Sequence, residues 1–110
     1  MKTLKDYIAF FEAIPENKWI TGKFENLNGC KCAMGHLGQS EADEFEDQVD
    51  NKAVLRLCSL IGAERDAFNN PVILANDGGG LFANQHYREL GSHPKERVVN
   101  YLILKDLKMI

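Results

Sequence analysis

The sequence predicts an α+β domain that is mainly helical and carries a small sheet. Three segments place apolar residues at the three- and four-residue steps of a helix: 3–14, 41–61 and 94–107. Two shorter segments contain residue types that strands favour: 20–24, with Ile20, Thr21 and Phe24, and 72–76, which begins with four apolar residues. We therefore expect two or three long helices to cover a sheet built from those two segments.

The first helix has the clearest pattern. Its apolar face combines Leu4, Tyr7, Ile8, Phe11 and Ile14. Thr3 and Asp6 are spaced as a capping box, and Pro15 is expected to end the helix. Nothing on this helix suggests a site, so its predicted role is to build the core.

Trp19 is the only tryptophan, and it directly precedes the predicted strand at 20–24. One interpretation makes it a core anchor whose indole N–H finds a buried partner. The other makes it a stacking platform for a ring-shaped ligand. A turn is expected over residues 26–29, because asparagine and glycine favour turns.

The segment 28–38 concentrates special residues, since it contains two cysteines, a histidine and three glycines. Cys32 begins a predicted short helix that runs to Leu37, and the helix dipole should lower the pKa of a thiol at that position. The segment is thus either a reactive site or a close-packed joint. We predict that Cys32 and Gly35 lie at such a joint, under the turn formed by Asn76 and Asp77.

The second long helix is predicted over 41–61 and begins with a run of six carboxylates. That run lacks the loop glycine and terminal glutamate of an EF-hand, so solvation rather than calcium binding is expected. Gly62 suits the left-handed position after a helix. Cys58 lies on the apolar stripe and is expected to be buried.

The predicted strand at 72–76 runs into Asn76, Asp77, Gly78 and Gly79. Polar groups and glycines that follow a buried strand commonly present side chains and backbone N–H groups to a ligand. A tight turn is the alternative, and both can hold together. The spacing matches neither a Walker motif nor a dinucleotide-binding motif.

The last third of the chain contains a loop with a helical piece over 81–91, which carries His86, Tyr87 and Arg88. The final helix is expected to start at Pro94, with His93 or Ser92 as its cap.

Composition limits the classes of function. With 110 residues, 45% apolar and 26% charged, the chain has the size and composition of one compact domain spanning 1–110. A net charge of −3 argues against binding extended nucleic acid, although a local phosphate-binding patch stays open. No apolar run approaches the roughly 20 residues of a membrane span, and no secretion signal is recognised. We therefore expect a cytoplasmic protein with three free thiols and no membrane partner.

Several short motifs occur in order along most of the chain. They are Trp19, Gly22, the segment 32–37 (Cys-Ala-Met-Gly-His-Leu), the segment 76–78 (Asn-Asp-Gly) and the segment 94–98 (Pro-Lys-Glu-Arg-Val). This set resembles a group of small uncharacterised proteins, many of them encoded by bacteriophages. The chain departs from that pattern at His93, where a threonine cap is expected. The resemblance implies a shared fold and a viral setting, in the cytoplasm of an infected or lysogenic bacterium, and no activity.

The leading functional hypothesis is a phage-type binding protein without a cofactor. It would hold a nucleotide-like, phosphate-bearing host signal, and so oppose host defence, or it would hold a host protein. In the small-molecule site, Trp19 or Tyr87 would stack on the ring of the ligand. Arg88 would bind its phosphate through two hydrogen bonds, and the N–H groups of 78–80 would donate to the same oxygens. Asp77 would accept a hydrogen bond from the ligand, and the remaining predicted site residues are Cys32, His36 and Asn76.

The sequence leaves three alternatives open. A cysteine hydrolase would use Cys32 as nucleophile, His86 or His93 as base and Asp77 or Asn76 as the orienting group. A zinc site would join Cys30, Cys32 and His36 to Cys58, His86 or His93, although Cys-x-Cys spacing is poor for zinc. A structural or protein-interaction role, including a homo-oligomer, is the third.

Overall fold

The computed structural model describes residues 1–38, 51–64, 69–78 and 85–110. Six α-helices lie in these ranges: α1 (Leu4–Glu12), α2 (Ala33–His36), α3 (Lys52–Ile61), α4 (Pro71–Asp77), α5 (Gln85–Arg88) and α6 (Pro94–Asp106). A 3₁₀ turn, Glu16–Lys18, follows α1.

The described part of the chain is mainly helical and contains no strand, so the predicted α+β class is wrong. The segment 20–24 forms no ladder. What exists near it is a pair of isolated bridges, in which Lys31 pairs with Trp19 in parallel and with Glu25 in antiparallel orientation. Within the described residues the protein is therefore a helical domain whose irregular segment 19–31 is tied together locally.

The second predicted strand, 72–76, lies inside helix α4. Asn70 caps this helix, since its Oδ1 accepts hydrogen bonds from the N–H groups of Val72 (3.0 Å) and Ile73 (3.4 Å). Pro71 occupies the first helical position, where its missing N–H costs nothing. Gly78 ends the helix at φ 72°, in the left-handed conformation. These end signals outweigh the β-branched character of Val72 and Ile73.

The three predicted helices exist with shorter bounds. Helix α1 carries the predicted capping box between Thr3 and Asp6, and α6 is capped by His93, whose Nδ1 accepts from the N–H of Lys95 at 3.1 Å. In the range predicted as 41–61, residues 41–50 lie outside the described residues. The described helix α3 starts after Asn51, which caps it, and it ends at Gly62 as predicted.

The core forms where α1 and α4 pack against α6, with α3 against α1. Its fully buried large apolar side chains are Tyr7, Phe11, Leu57, Val72, Val98 and Leu102. Each such side chain stabilises the fold by about 1.5–3 kcal/mol relative to an exposed one. Cys58 is 4% exposed, which confirms its predicted burial. Across the described ranges, no helix combines the length and the apolar character needed to cross a bilayer.

Candidate functional site

Three of the predicted site residues, Cys32, Asn76 and Asp77, lie where the start of α2 meets the end of α4, and Asn76 is the centre of this joint. Its side chain is 1% exposed. Its Oδ1 accepts from the N–H of Ala33 at 3.0 Å, and its Nδ2 donates to the carbonyl of Ile20 and to Asp77 Oδ1, both at 3.0 Å. One buried amide therefore connects α2, α4 and the segment after Trp19, which makes Asn76 a structural link between three parts of the chain.

Asp77 extends the same network toward the surface. Its Oδ1 accepts a second hydrogen bond, from the N–H of Gly22 at 3.0 Å. Gly22 has φ 78°, a conformation that favours glycine, so the chain turns here and brings its amide to the carboxylate. The Oδ1 oxygen of Asp77 is thus already shared by two donors of this chain.

Arg97 completes the end of α4, and sequence reasoning did not single it out. Its Nε donates to the carbonyl of Ala75 at 2.7 Å, and its Nη2 donates to that of Asn76 at 2.9 Å. Its Nη1 donates to the carbonyl of Gly91 at 3.3 Å. The carbonyls at a helix C-terminus attract cations, so this guanidinium neutralises them. The sequence feature that could have identified Arg97 is its place in the first turn of the last helix, three residues after Pro94.

The C-terminal end of α4 presents groups of the wrong polarity for a phosphate. A strand followed by a glycine loop would present N–H groups, whereas the C-terminus of a helix presents carbonyls. The N–H of Gly78 is directed to the carbonyls of Ala75 and Leu74 within α4. Gly79 and Gly80 lie outside the described residues.

Cys32 is the N-cap of α2, and its Sγ accepts from the N–H of Gly35 at 3.4 Å. Burial raises the pKa of the Cys32 thiol, the Gly35 N–H opposes this change, and the charge of Asp77 adds to it. The predicted lowering of this pKa is therefore wrong, because desolvation outweighs the backbone donors of a one-turn helix. A thiol in this state is a poor nucleophile.

Trp19 belongs to the core rather than to an open surface, as the first interpretation predicted. Its side chain is 6% exposed and lies between Phe11 and His36, with ring centroids 5.6 and 4.9 Å away. Its Nε1 donates to the carbonyl of Ile14 at 3.5 Å. Without a movement of the surrounding core, this indole has no free face for a ligand.

His36 is half-buried beside Trp19. Burial lowers the pKa of His36, and the positive charge of Lys31 lowers it further, while hydrogen bonding to the backbone of Lys18 opposes both. Its Nε2 is buried and has no hydrogen-bond partner among the described residues. Burial beside the Trp19 ring therefore disfavours the protonated form of His36.

Helix α5 carries the other predicted residues. His86 and Arg88 are exposed, and Tyr87 is half-buried with its ring edge-on to His86 at 5.4 Å. Burial raises the pKa of Tyr87; burial and the neighbouring Tyr87 raise that of Tyr101 to about 12. Although α5 contacts α4, no hydrogen bond between described residues joins Tyr87 or Arg88 to Asp77.

The zinc hypothesis finds no cluster in the described ranges, where no three histidine, cysteine or acidic side chains are grouped to hold a metal. Cys30 Sγ donates to the carbonyl of Asn17 at 3.3 Å, and Cys58 Sγ accepts from Asn70 Nδ2 at 3.3 Å. Cys30 and Cys58, which the zinc hypothesis places in one site, therefore form hydrogen bonds in separate parts of the fold.

A different surface feature lies at the end of α6. A cleft of about 350 Å³, here called the α6 cleft, is lined by Leu4, Leu60, Lys105, Asp106, Lys108 and Ile110. Of its lining side chains, Ile110 is 42% exposed, and two further apolar residues of the same C-terminal segment are exposed, Leu107 at 62% and Met109 at 66%. Lys108 has φ 60°, which side chains with a Cβ rarely adopt. No sequence pattern pointed to this cleft.

Comparisons with protein-family models, with curated proteins and with solved structures found no match for this chain.

Proposed function

We propose that this protein acts by binding another protein and does not catalyse a reaction. The observation that carries this proposal is how the chain uses its chemically capable side chains. Asn76, Asp77 and Arg97 are hydrogen-bonded to one another's backbone or side chains. Cys32 Sγ accepts a hydrogen bond from the N–H of Gly35 at the start of α2, where burial raises the pKa of the thiol. Side chains that are consumed by internal hydrogen bonds stabilise the fold and leave little for a substrate.

The α6 cleft is the surface that supports a protein partner. Exposed apolar side chains that cluster beside a cleft are typical of interaction sites. Two lysines, Lys105 and Lys108, stand among its apolar lining, against the single carboxylate of Asp106. By charge complementarity, the partner would be a segment that inserts an apolar side chain and carries acidic residues next to it.

The setting of this proposal comes from the resemblance to phage-encoded proteins, which points to a factor of the bacterial host. The small-molecule hypothesis loses two of its parts, since the Trp19 ring is buried and the Gly78 amide is occupied. The hydrolase hypothesis loses its activated thiol.

The test is affinity capture from bacterial lysate with matched surface variants. Ile110→Asp places a carboxylate in the α6 cleft, whereas Leu27→Asp makes the same chemical change at a fully exposed leucine outside it. We expect one protein to be captured by the parent and by Leu27→Asp, and to be lost with Ile110→Asp. Lys105→Glu should weaken capture most at low salt.

Equal capture by all three variants would contradict the role of the cleft. A metabolite that co-purifies with the parent in native mass spectrometry, without any protein, would favour the small-molecule hypothesis. Self-association in the same spectrum, abolished by Ile110→Asp, would identify a second copy as the occupant.

A further inference from the structure

The turn that ends at Cys30 is held by one asparagine side chain. Asn26 Oδ1 accepts hydrogen bonds from the N–H groups of Asn28 and Cys30, each at 2.9 Å. Two backbone bonds close the same turn: the N–H of Asn26 to the carbonyl of Cys30 at 2.9 Å, and the N–H of Gly29 to the carbonyl of Asn26 at 3.1 Å. Asn28 is exposed at this turn.

We propose that Asn28 is a site of spontaneous deamidation, and that Asn26 controls its rate. Asn28 and Gly29 form the only Asn-Gly pair in the sequence. Because glycine has no Cβ, its backbone nitrogen can approach the preceding side chain with little steric hindrance. This site is independent of the proposed partner-binding function.

The reaction needs only water. The Gly29 nitrogen gives up its proton to solvent and attacks Cγ of Asn28, so that a C–N bond forms. The bond from Cγ to Nδ2 breaks, and the NH2 group takes a proton from solvent and leaves as ammonia. Water then opens the succinimide ring at either carbonyl. The product is aspartate, or isoaspartate when the chain runs on through the side-chain carbon.

The turn opposes the first step. The Gly29 N–H donates to the carbonyl of Asn26, and the succinimide nitrogen carries no hydrogen, so this bond must break before the ring closes. The two bonds from Asn26 Oδ1 hold the turn in the closed form. Deamidation therefore proceeds from the opened turn. Its rate depends on how often the two hydrogen bonds to Asn26 Oδ1 break.

The modification changes a presented surface. Leu27, next to Asn28, is fully exposed at 106%. Conversion adds a negative charge beside it, and isoaspartate adds one carbon to the backbone path. That extra carbon lies inside the turn that the four hydrogen bonds close.

The experiment is incubation of the full chain at mildly alkaline pH, followed by peptide mapping with mass spectrometry. We expect residue 28 to convert to aspartate and isoaspartate in the folded protein, and to convert several-fold faster in urea, where the turn is open. Asn17, exposed and followed by Lys18, is the internal control and should keep its amide. Asn28→Gln should abolish the modification of this peptide.

Asn26→Ala tests the control of the rate, since it removes both side-chain hydrogen bonds. We expect this variant to convert several-fold faster at residue 28, with a circular dichroism spectrum like that of the parent. Conversion in urea alone, or at neither condition, would overturn the site in the folded protein. A rate in Asn26→Ala equal to that of the native parent would overturn the control by Asn26, whatever the rate in urea.

Discussion

Replacing Gly35 by alanine tests the packing of α2 at its closest contact. A Cβ built on Gly35 would overlap the carbonyl oxygen of Phe24 and lie 2.9 Å from its carbonyl carbon. Backbone atoms cannot rotate away as a side chain does, so the cost lies at the upper end of overpacking, about 3 kcal/mol. Alanine in a helix gains about 1 kcal/mol over glycine.

The net destabilisation expected for Gly35→Ala is therefore about 2 kcal/mol, which corresponds to a fall of about 8 °C in Tm. Thermal and urea unfolding, followed by circular dichroism, measure it. Gly91→Ala is the matched control, because the Cβ there meets the side chain of Glu96, which is exposed and can rotate. Its free energy of unfolding should change by less than about 0.5 kcal/mol.

A Gly35→Ala variant that melts at or above the parent temperature would refute this reasoning. It would mean that Phe24 does not approach α2 closely. The sequence predicted a joint at Gly35 under the turn of Asn76 and Asp77, whereas the closest contact of Gly35 is with the backbone of Phe24.

Three further predictions concern stability. Asn76→Asp puts a carboxylate against the carbonyl of Ile20 and against Asp77, so unfolding in urea should become easier by about 3 kcal/mol, whereas exposed Asn17→Asp should leave it unchanged. His36 has a lowered pKa in the fold, so the unfolded chain binds the proton more tightly. The free energy of unfolding should therefore fall as pH drops below 6.5. In the variant His36→Gln, Tm should depend less on pH in this range. Lys108→Gly removes the left-handed strain at φ 60° and should raise Tm, for a gain of about 0.5–1 kcal/mol; an unchanged or lower Tm would contradict it.

The fate of the segment 72–76 shows where sequence reasoning failed. A short apolar run fits a buried strand and a buried helix equally well, and β-branched residues favoured the strand. The residues that decided between them stand at its ends: Asn70 caps, Pro71 begins and Gly78 ends a helix. The sequence contained these signals, and the burial of Val72, Ala75 and Asn76 on one helical face agrees with them.

The error in this one element changed the chemistry expected at the site. A strand would have delivered Asn76, Asp77 and free glycine amides to a ligand. A helix instead turns Asn76 inward to α2 and exposes carbonyls, which Arg97 neutralises. Asn76 thus contacts the start of α2, as expected of the predicted joint, while the ligand-binding role of Asn76 and Asp77 stays a prediction.

Local signals in the sequence were enough to predict three features: the capping box of α1, the glycine that ends α3 and the start of α6 at Pro94. Only the tertiary structure decided which groups lose their water. Burial raises the pKa of Cys32 and lowers that of His36, and it encloses Trp19, although neither spacing nor composition distinguishes these side chains from exposed ones. The reason is physical, because desolvation depends on every element that packs around a group and not on the residues beside it in the chain.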